Sequence, residues 1–257
     1  MITPVDLKLG KKPAVPEQFP KLKFRNYANL SVLPTPPVNF GHDDLVKNPW
    51  GMLGNDKYGC CAIAGPGHQI MLWNAEAGRQ LIFSDQNTLA DYSAITGFNA
   101  NDPTTDQGTA VPDMCKYFKI TGLLDAAGIR HKVGAYLEIE KGNVEEHLTA
   151  CYLFGSVGIG VQFPASAMSQ FNSHQPWTVI TGSQVDGGHY IPQVSRRSGV
   201  WNIVTWGSNQ LMEDDFFVKY NDESVVFLSE EFLTNGKSLE GFDLEQLNND
   251  LNQLTTN

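Results

Sequence analysis

The chain has 257 residues, 41% hydrophobic and 18% charged, which is enough apolar material to bury a core and too little charge for a disordered chain. Its 28 acidic and 18 basic side chains leave a net charge of −10. That balance argues against nucleic acid and against an anionic membrane as partners, because phosphates need a basic face. No apolar run reaches the ~20 residues that span a bilayer, and charge follows Met1–Val5 where a signal peptide would place its apolar core.

Residues 1–32 read as an extended arm. Pro4, Pro13, Pro16 and Pro20 forbid a long helix there, and the arm carries the basic stretch Lys8, Lys11, Lys12, Lys21, Lys23 and Arg25. Pro34-Thr35-Pro36-Pro37 is polyproline-like. A glycine-rich loop, Pro49–Gly59, ends at two adjacent cysteines. From Cys61 to about Ala77, Ile63, Ile70, Trp73 and Ala77 fall at helical spacing, with Pro66 predicting a kink or a shifted start. Ser84 is placed to cap a helix over Asp85–Thr96, Pro112–Ile120 reads as a short helix, and Lys132–Leu137 reads as extended. Asn143 caps a helix that runs to Phe154.

The second half changes character. Val157–Phe163 predicts a strand. Gly188–Val194 and Val200–Trp206 predict a hairpin around Ser195–Gly199, and Phe216–Tyr220 and Val225–Leu228 predict two further strands. Leu244, Leu247, Leu251 and Leu254 predict a C-terminal helix or tail over 241–257. The fold class is α+β, with a helical lobe at about 55–150, a β lobe at about 155–235 and a cleft between them.

Four cysteines, Cys60, Cys61, Cys115 and Cys151, are too few and too unevenly spaced for a disulfide framework or a zinc knuckle. They read as reduced thiols, and no metal or other cofactor is expected; a soft metal on Cys60, Cys61 and His189 is a minor variant. Cys61 follows Gly59 and stands where a helix begins, so free amide donors and the helix dipole would favour its thiolate. Gly187-Gly188-His189 leaves an imidazole with little side-chain bulk beside it, at the start of an alternating strand. His68 lies seven residues beyond Cys61, about 10 Å along the helix and too far to take its proton. His42, His131, His147 and His174 sit in polar sequence contexts without a matching partner. Thr205-Trp206-Gly207 follows on the next strand, where the indole would shield an imidazole from water.

Gly54-Asn55-Asp56-Lys57-Tyr58-Gly59-Cys60-Cys61, then Gly188-His189-Tyr190, then Thr205-Trp206-Gly207 resembles the layout of papain-like cysteine peptidases. It is similar in particular to divergent bacterial and phage members with a Gly-Asn-Asp-x-x-Gly-x-Cys signature. The resemblance runs from about residue 33 to 230. It implies a papain-like domain over 33–240, with 1–32 as a propeptide or a strap around the body. It implies Cys61 as nucleophile, His189 as its acid–base partner and Asn55, six positions before Cys61, as the oxyanion donor. Gly108, Gly188 and Trp206 would border the substrate. Where the family has an orienting Asn, the alignment puts Val204, and Thr205 takes the place of the motif's Ser. Thr205 would accept from His189 if the strand shifts by one, with Asn209 or Gln210 as substitutes. The residue after the nucleophile is Ala62 where the family has Trp.

The implied activity is hydrolysis of peptide or amide bonds through an acyl-enzyme, on a peptide or protein substrate. The alternatives are a peptidoglycan or isopeptide amidase, a papain-fold module that has lost catalysis and serves binding or structure, and an unrelated globular binding protein. A cytoplasmic or phage/virion-associated location fits the expected lack of a signal peptide.

Overall fold

The computed structural model describes residues 7–15, 23–27, 33–241 and 243. The helices are α1 (Phe24–Tyr27), α2 (Cys61–Glu76), α3 (Asp85–Thr96), α4 (Val111–Ile120), α5 (Val144–Phe154), α6 (Ala165–Asn172) and α7 (Asp214–Tyr220). The strands are β1 (Leu123–Leu124), β2 (Arg130–His131), β3 (Ala135–Ile139), β4 (Val157–Pro164), β5 (Val185–Arg197), β6 (Val200–Thr205), β7 (Ser208–Met212) and β8 (Asn221–Leu228). β1 and β2 form a small ladder, and the others form one antiparallel sheet in the order β3-β8-β4-β5-β6-β7.

Helix α2 is the axis of the molecule. All sixteen of its residues are buried, as befits a helix enclosed on every side. It begins at Cys61 with no shift of its start, and Pro66 lies inside it, leaving one carbonyl without its helical partner. One face packs on β5: a Cβ at Gly65 would stand 2.5 Å from the Tyr190 ring, so only glycine lets helix and sheet come this close. Ile63, Ile70 and Trp73 share a core with Met114, Phe118, Val157 and Phe227. The far side of the sheet buries a second core of Ile159, Phe163, Trp177, Trp201, Trp206 and Phe217.

The expected caps are present: Ser84 Oγ accepts from the Asn87 N–H, and Asn143 Oδ1 accepts from the Glu146 N–H. Two expectations are corrected. Phe216–Tyr220 is helical, within α7. Its aromatics suggested a strand, but Phe216, Phe217 and Tyr220 form one buried helical face, with Asp214 and Asp215 in the first turn and Lys219 in the last to suit the dipole. The hairpin turn is shorter than Ser195–Gly199: Ser195, Arg196 and Arg197 pair with Asn202, Trp201 and Val200, leaving a two-residue turn in which Ser198 and Gly199 have φ of 51° and 78°. The sheet also reaches into the stretch read as helical lobe, since β3 pairs with β8. The C-terminal helix lies outside the described residues. Among the described residues, no helix is long and apolar enough to cross a membrane.

Candidate functional site

The loop before α2 is wound tightly. Leu53 and Gly54 have φ of 53° and 78°, and the N–H groups of Lys57 and Tyr58 both donate to the Gly54 carbonyl. This aims the buried Asn55 side chain inward, where its Nδ2 donates to the Tyr58 carbonyl at 2.9 Å. Asp106 braces the loop end by accepting from the Gly59 N–H at 3.0 Å and from the Tyr92 hydroxyl at 2.7 Å. That hydroxyl in turn accepts from the Gly108 N–H at 2.9 Å. The two cysteines then part. Cys60 turns into the body, its Sγ donating to the Leu53 carbonyl at 3.4 Å, while Cys61 opens α2 and faces a small cavity shared with Asn55, Tyr190, Thr205 and Trp206.

His189 lies on β5 opposite Val161. Its Nε2 stands 2.7 Å from Thr205 Oγ1, and its ring stacks on Trp206 at 4.4 Å and 17°. Trp206 holds this position with a φ of 45°, a conformation sparsely populated by residues other than glycine and concentrated at functional sites. His189 Nδ1 is buried without a hydrogen-bond partner among the described residues. The next residue, Tyr190, lines the same cavity as Cys61. Asn209 and Gln210 are committed elsewhere: Asn209 Oδ1 accepts from Trp50 Nε1, and Gln210 Nε2 donates to the Gln175 carbonyl.

Residues 8–12 of the N-terminal arm lie across this site. The Lys8 carbonyl accepts from Asn55 Nδ2 at 3.3 Å and from Trp206 Nε1 at 3.2 Å. The N–H groups of Gly10 and Lys11 both donate to the Gly188 carbonyl, at 3.1 and 2.9 Å. On the other side the Thr109 N–H donates to the Gly10 carbonyl at 2.8 Å, and the Lys12 N–H donates to the Thr109 carbonyl at 3.0 Å. A Cβ at Gly108 would stand 2.1 Å from the Gly10 oxygen, and one at Gly188 2.2 Å from the Lys11 oxygen. Gly108, Gly188 and Trp206 therefore all touch the arm.

Covered in this way, the site is electrically quiet. Burial pushes the Cys61 thiol up to about 11, against the pull of the Tyr190 and Gly10 N–H groups and the Lys11 charge. Burial takes His189 down to about 3. Thiol and imidazole are then both neutral near pH 7, and the ion pair favoured by the helix start is absent from this arm-covered form.

The other histidines are better accommodated than their sequence contexts suggested. His131 Nδ1 lies 2.8 Å from Glu231, with Nε2 3.3 Å from Asp125. His42 pairs with Glu240 at 3.0 Å. His147 is wholly buried against Trp201 and Phe217, not in a polar setting. His68 Nε2 lies 3.1 Å from the Gly51 carbonyl. Among the described residues no three His, Cys, Asp or Glu side chains gather as a metal site. Sequence reasoning missed Asp106 and Tyr92, which tie the loop to Gly108, and the pairing of Lys11 with Asp222 and Glu223. Single residues at such separations leave no local pattern.

No known family profile matches the sequence, and no curated protein matches it. Solved structures do. Xylellain, a cysteine protease from Xylella fastidiosa, superposes with a TM-score of 0.63 at 13% identity, covering 87% of this chain and 96% of its own. Procathepsin B from Trypanosoma congolense gives 0.58 at 10% identity, covering 85% and 86%. A cysteine protease from Carica candamarcensis gives 0.52 at 12% identity, covering 75% and 99%. The fold is that of papain-like cysteine proteases.

Proposed function

We propose that the chain is a thiol-dependent hydrolase of peptide or amide bonds, isopeptide and peptidoglycan amides included, held in a closed form by its N-terminal arm. The observation that carries this reading is the cavity that Cys61, at the start of α2, shares with Thr205 and Trp206, the two side chains that hold the buried His189 imidazole. One nitrogen is held by Thr205 Oγ1 at 2.7 Å and the other is without a partner among the described residues. A hydroxyl that accepts from Nε2–H leaves Nδ1 as the base. With the arm displaced, water re-enters, the burial that holds both groups neutral is relieved, and a thiolate–imidazolium pair becomes accessible. Cys61 then attacks the carbonyl carbon. The oxyanion is taken by Asn55 Nδ2 and the Cys61 N–H, an arrangement often worth about 3 kcal/mol per donor. His189 protonates the leaving amine, and water, deprotonated by His189, clears the acyl-enzyme. The contacts from Asn55 and Trp206 to the Lys8 carbonyl support the polar part of this reading, since a carbonyl already lies against the proposed oxyanion donor.

The arm also favours a second reading, a papain-fold binding or structural module with a permanent strap. One experiment separates the two. The intact chain and a Lys11→Met chain, its arm release checked by trypsin cleavage after Lys8, are alkylated with dilute iodoacetamide between about pH 5 and 9. Fast Cys61 labelling near pH 6 in the released chain, lost on adding His189→Ala, is the expected result. Labelling only as an ordinary thiol near pH 8.5 with the arm released would overturn the hydrolase reading in favour of the module.

A further inference from the structure

Lys11 makes contacts that a surface lysine has no reason to make. Its side chain is fully buried, and its ammonium donates three hydrogen bonds, each of 2.9 Å, to Asp222 Oδ2, Glu223 Oε1 and the Lys12 carbonyl. An ammonium taken out of water is costly unless its N–H groups are met, and here all three are. The pocket that receives it belongs to the body of the protein. Successive residues of a regular strand point to opposite faces, yet Asp222 and Glu223 both reach the ammonium. They do so because the pairing of β8 with β4 shifts at Gly160 and Val161, which face Glu223 and Asn221 and leave Asp222 as the extra residue of a bulge. Asn221 pins this bulge by donating to the Gly160 and Glu223 carbonyls at 2.9 and 2.8 Å. Gly160 is the wall: a Cβ there would lie 2.9 Å from both Cδ and Cε of Lys11.

The pocket holds more acceptors than Lys11 uses. The Asp222 and Glu223 side chains are 8% and 5% exposed, and Asp222 Oδ1 and Glu223 Oε2 are buried without a partner among the described residues. Without Lys11, two buried carboxyl groups would face each other. A cation relieves that arrangement, whereas an apolar side chain would bury both acids unpaired. The pocket is also close to Cys61, because Lys8, three residues before Lys11, rests its carbonyl on Asn55 and Trp206, which line the same cavity as Cys61.

We infer that Asp222 and Glu223 form a cation-specificity pocket of the cleft, which takes the lysine- or arginine-type side chain of a peptide substrate within three residues of the bond Cys61 attacks, and that Lys11 occupies it while the arm is in place. The reaction part of this inference rests on the hydrolase reading; the binding part does not.

The test uses the full chain carrying Lys11→Met and Cys61→Ser, with Lys11→Gln as a second carrier should the first not fold. Calorimetry measures binding of the pentapeptide Leu-Gly-Lys-Lys-Pro, matching residues 9–13, and of versions with arginine or norleucine at the third position. The arm still in cis lowers the affinity of every peptide by one common factor, so the ratio is the readout. The cationic peptides are expected to bind at least about tenfold more tightly than the norleucine peptide, and Asp222→Asn with Glu223→Gln is expected to abolish the difference. Equal binding of norleucine, or a preference that survives the double substitution, would overturn the pocket. The same peptides, extended to a cleavable amide, are then given to the Lys11→Met chain with Cys61 intact. Cation-selective binding without turnover keeps the pocket and removes the hydrolase reading. Turnover without selectivity does the reverse.

Discussion

A hydroxyl stands beside His189 at the place where the resemblance to papain-like peptidases implies a carboxamide. Thr205 Oγ1 stands 2.7 Å from Nε2, placed to accept its N–H in the tautomer that leaves Nδ1 as the base, and the β-branched side chain has few χ1 rotamers, so it is stiff as well as close. The stacked Trp206 covers the same imidazole. Thr205→Val keeps the shape and removes the acceptor, leaving a buried N–H unpaired at a cost of about 1–3 kcal/mol. The expected outcome is a lower urea midpoint together with a fall of about tenfold or more in Cys61 alkylation at pH 6 in the arm-released chain, with Thr205→Ser restoring both. Unchanged labelling in Thr205→Val would mean that Thr205 only fills space beside the ring.

Among the elements, the arm and β5 are coupled backbone to backbone. The Gly188 carbonyl accepts from both Gly10 and Lys11, and a Cβ at Gly188 would meet the Lys11 oxygen at 2.2 Å. Gly188 lies within a strand and its φ is not positive, so alanine suits its backbone and the clash falls on the arm. Overpacking of this kind costs about 1–3 kcal/mol. Gly188→Ala is therefore expected to make trypsin cleavage after Lys8 or Lys11 about tenfold faster and to speed alkylation of Cys61; a fully protected arm would show that the contact yields elsewhere. This scale also shows what the sequence could carry. Asn55, Cys61, His189 and Thr205 could be picked out as candidates because their order and spacing form a pattern, and the caps at Ser84 and Asn143 were legible because capping is local. Helix α7 was not, because Phe216, Phe217 and Tyr220 have strand-forming side chains and only tertiary burial makes them a helical face. The cation pocket was not, because it needs a bulge in β8 to bring Asp222 and Glu223 to one side and an arm about two hundred residues away to fill it.

Across the whole molecule, buried titratable groups set opposing pH limits on stability. Burial lowers His68 to about 4, His147 to about 3 and His189 to about 3, from 6.5. The unfolded chain binds these protons first, so each histidine removes stability as pH falls below 6.5, by up to about 1.4 kcal/mol per pH unit. Glu76 acts in the opposite sense. Burial, with Glu240 adding to it, raises its carboxyl from 4.5 to about 8, so it is protonated when folded and ionised when unfolded, and stability is lost as pH rises from 4.5 to 8. Glu146 and Glu223, both raised by burial, add to that loss. Burial would lower His131, but Glu231 and Asp125 hold it above 6.5, so its contribution is present below 6.5 and lost as pH rises through its folded value. Between 4.5 and 6.5 the two sets oppose each other; below that window the histidines dominate, and above it the acids and His131 do. Urea unfolding from about pH 3 to 9 is expected to give a plateau near pH 5–6 with a steep acid limb and a shallower alkaline one. Glu76→Gln should flatten the alkaline limb between 6.5 and 8, and His147→Phe, which suits the surrounding Trp201 and Phe217 rings, should shallow the acid limb. An alkaline limb unchanged by Glu76→Gln would mean that this carboxyl is ionised in the folded protein, and that a cation or water reaches it beneath the loop that carries Glu240.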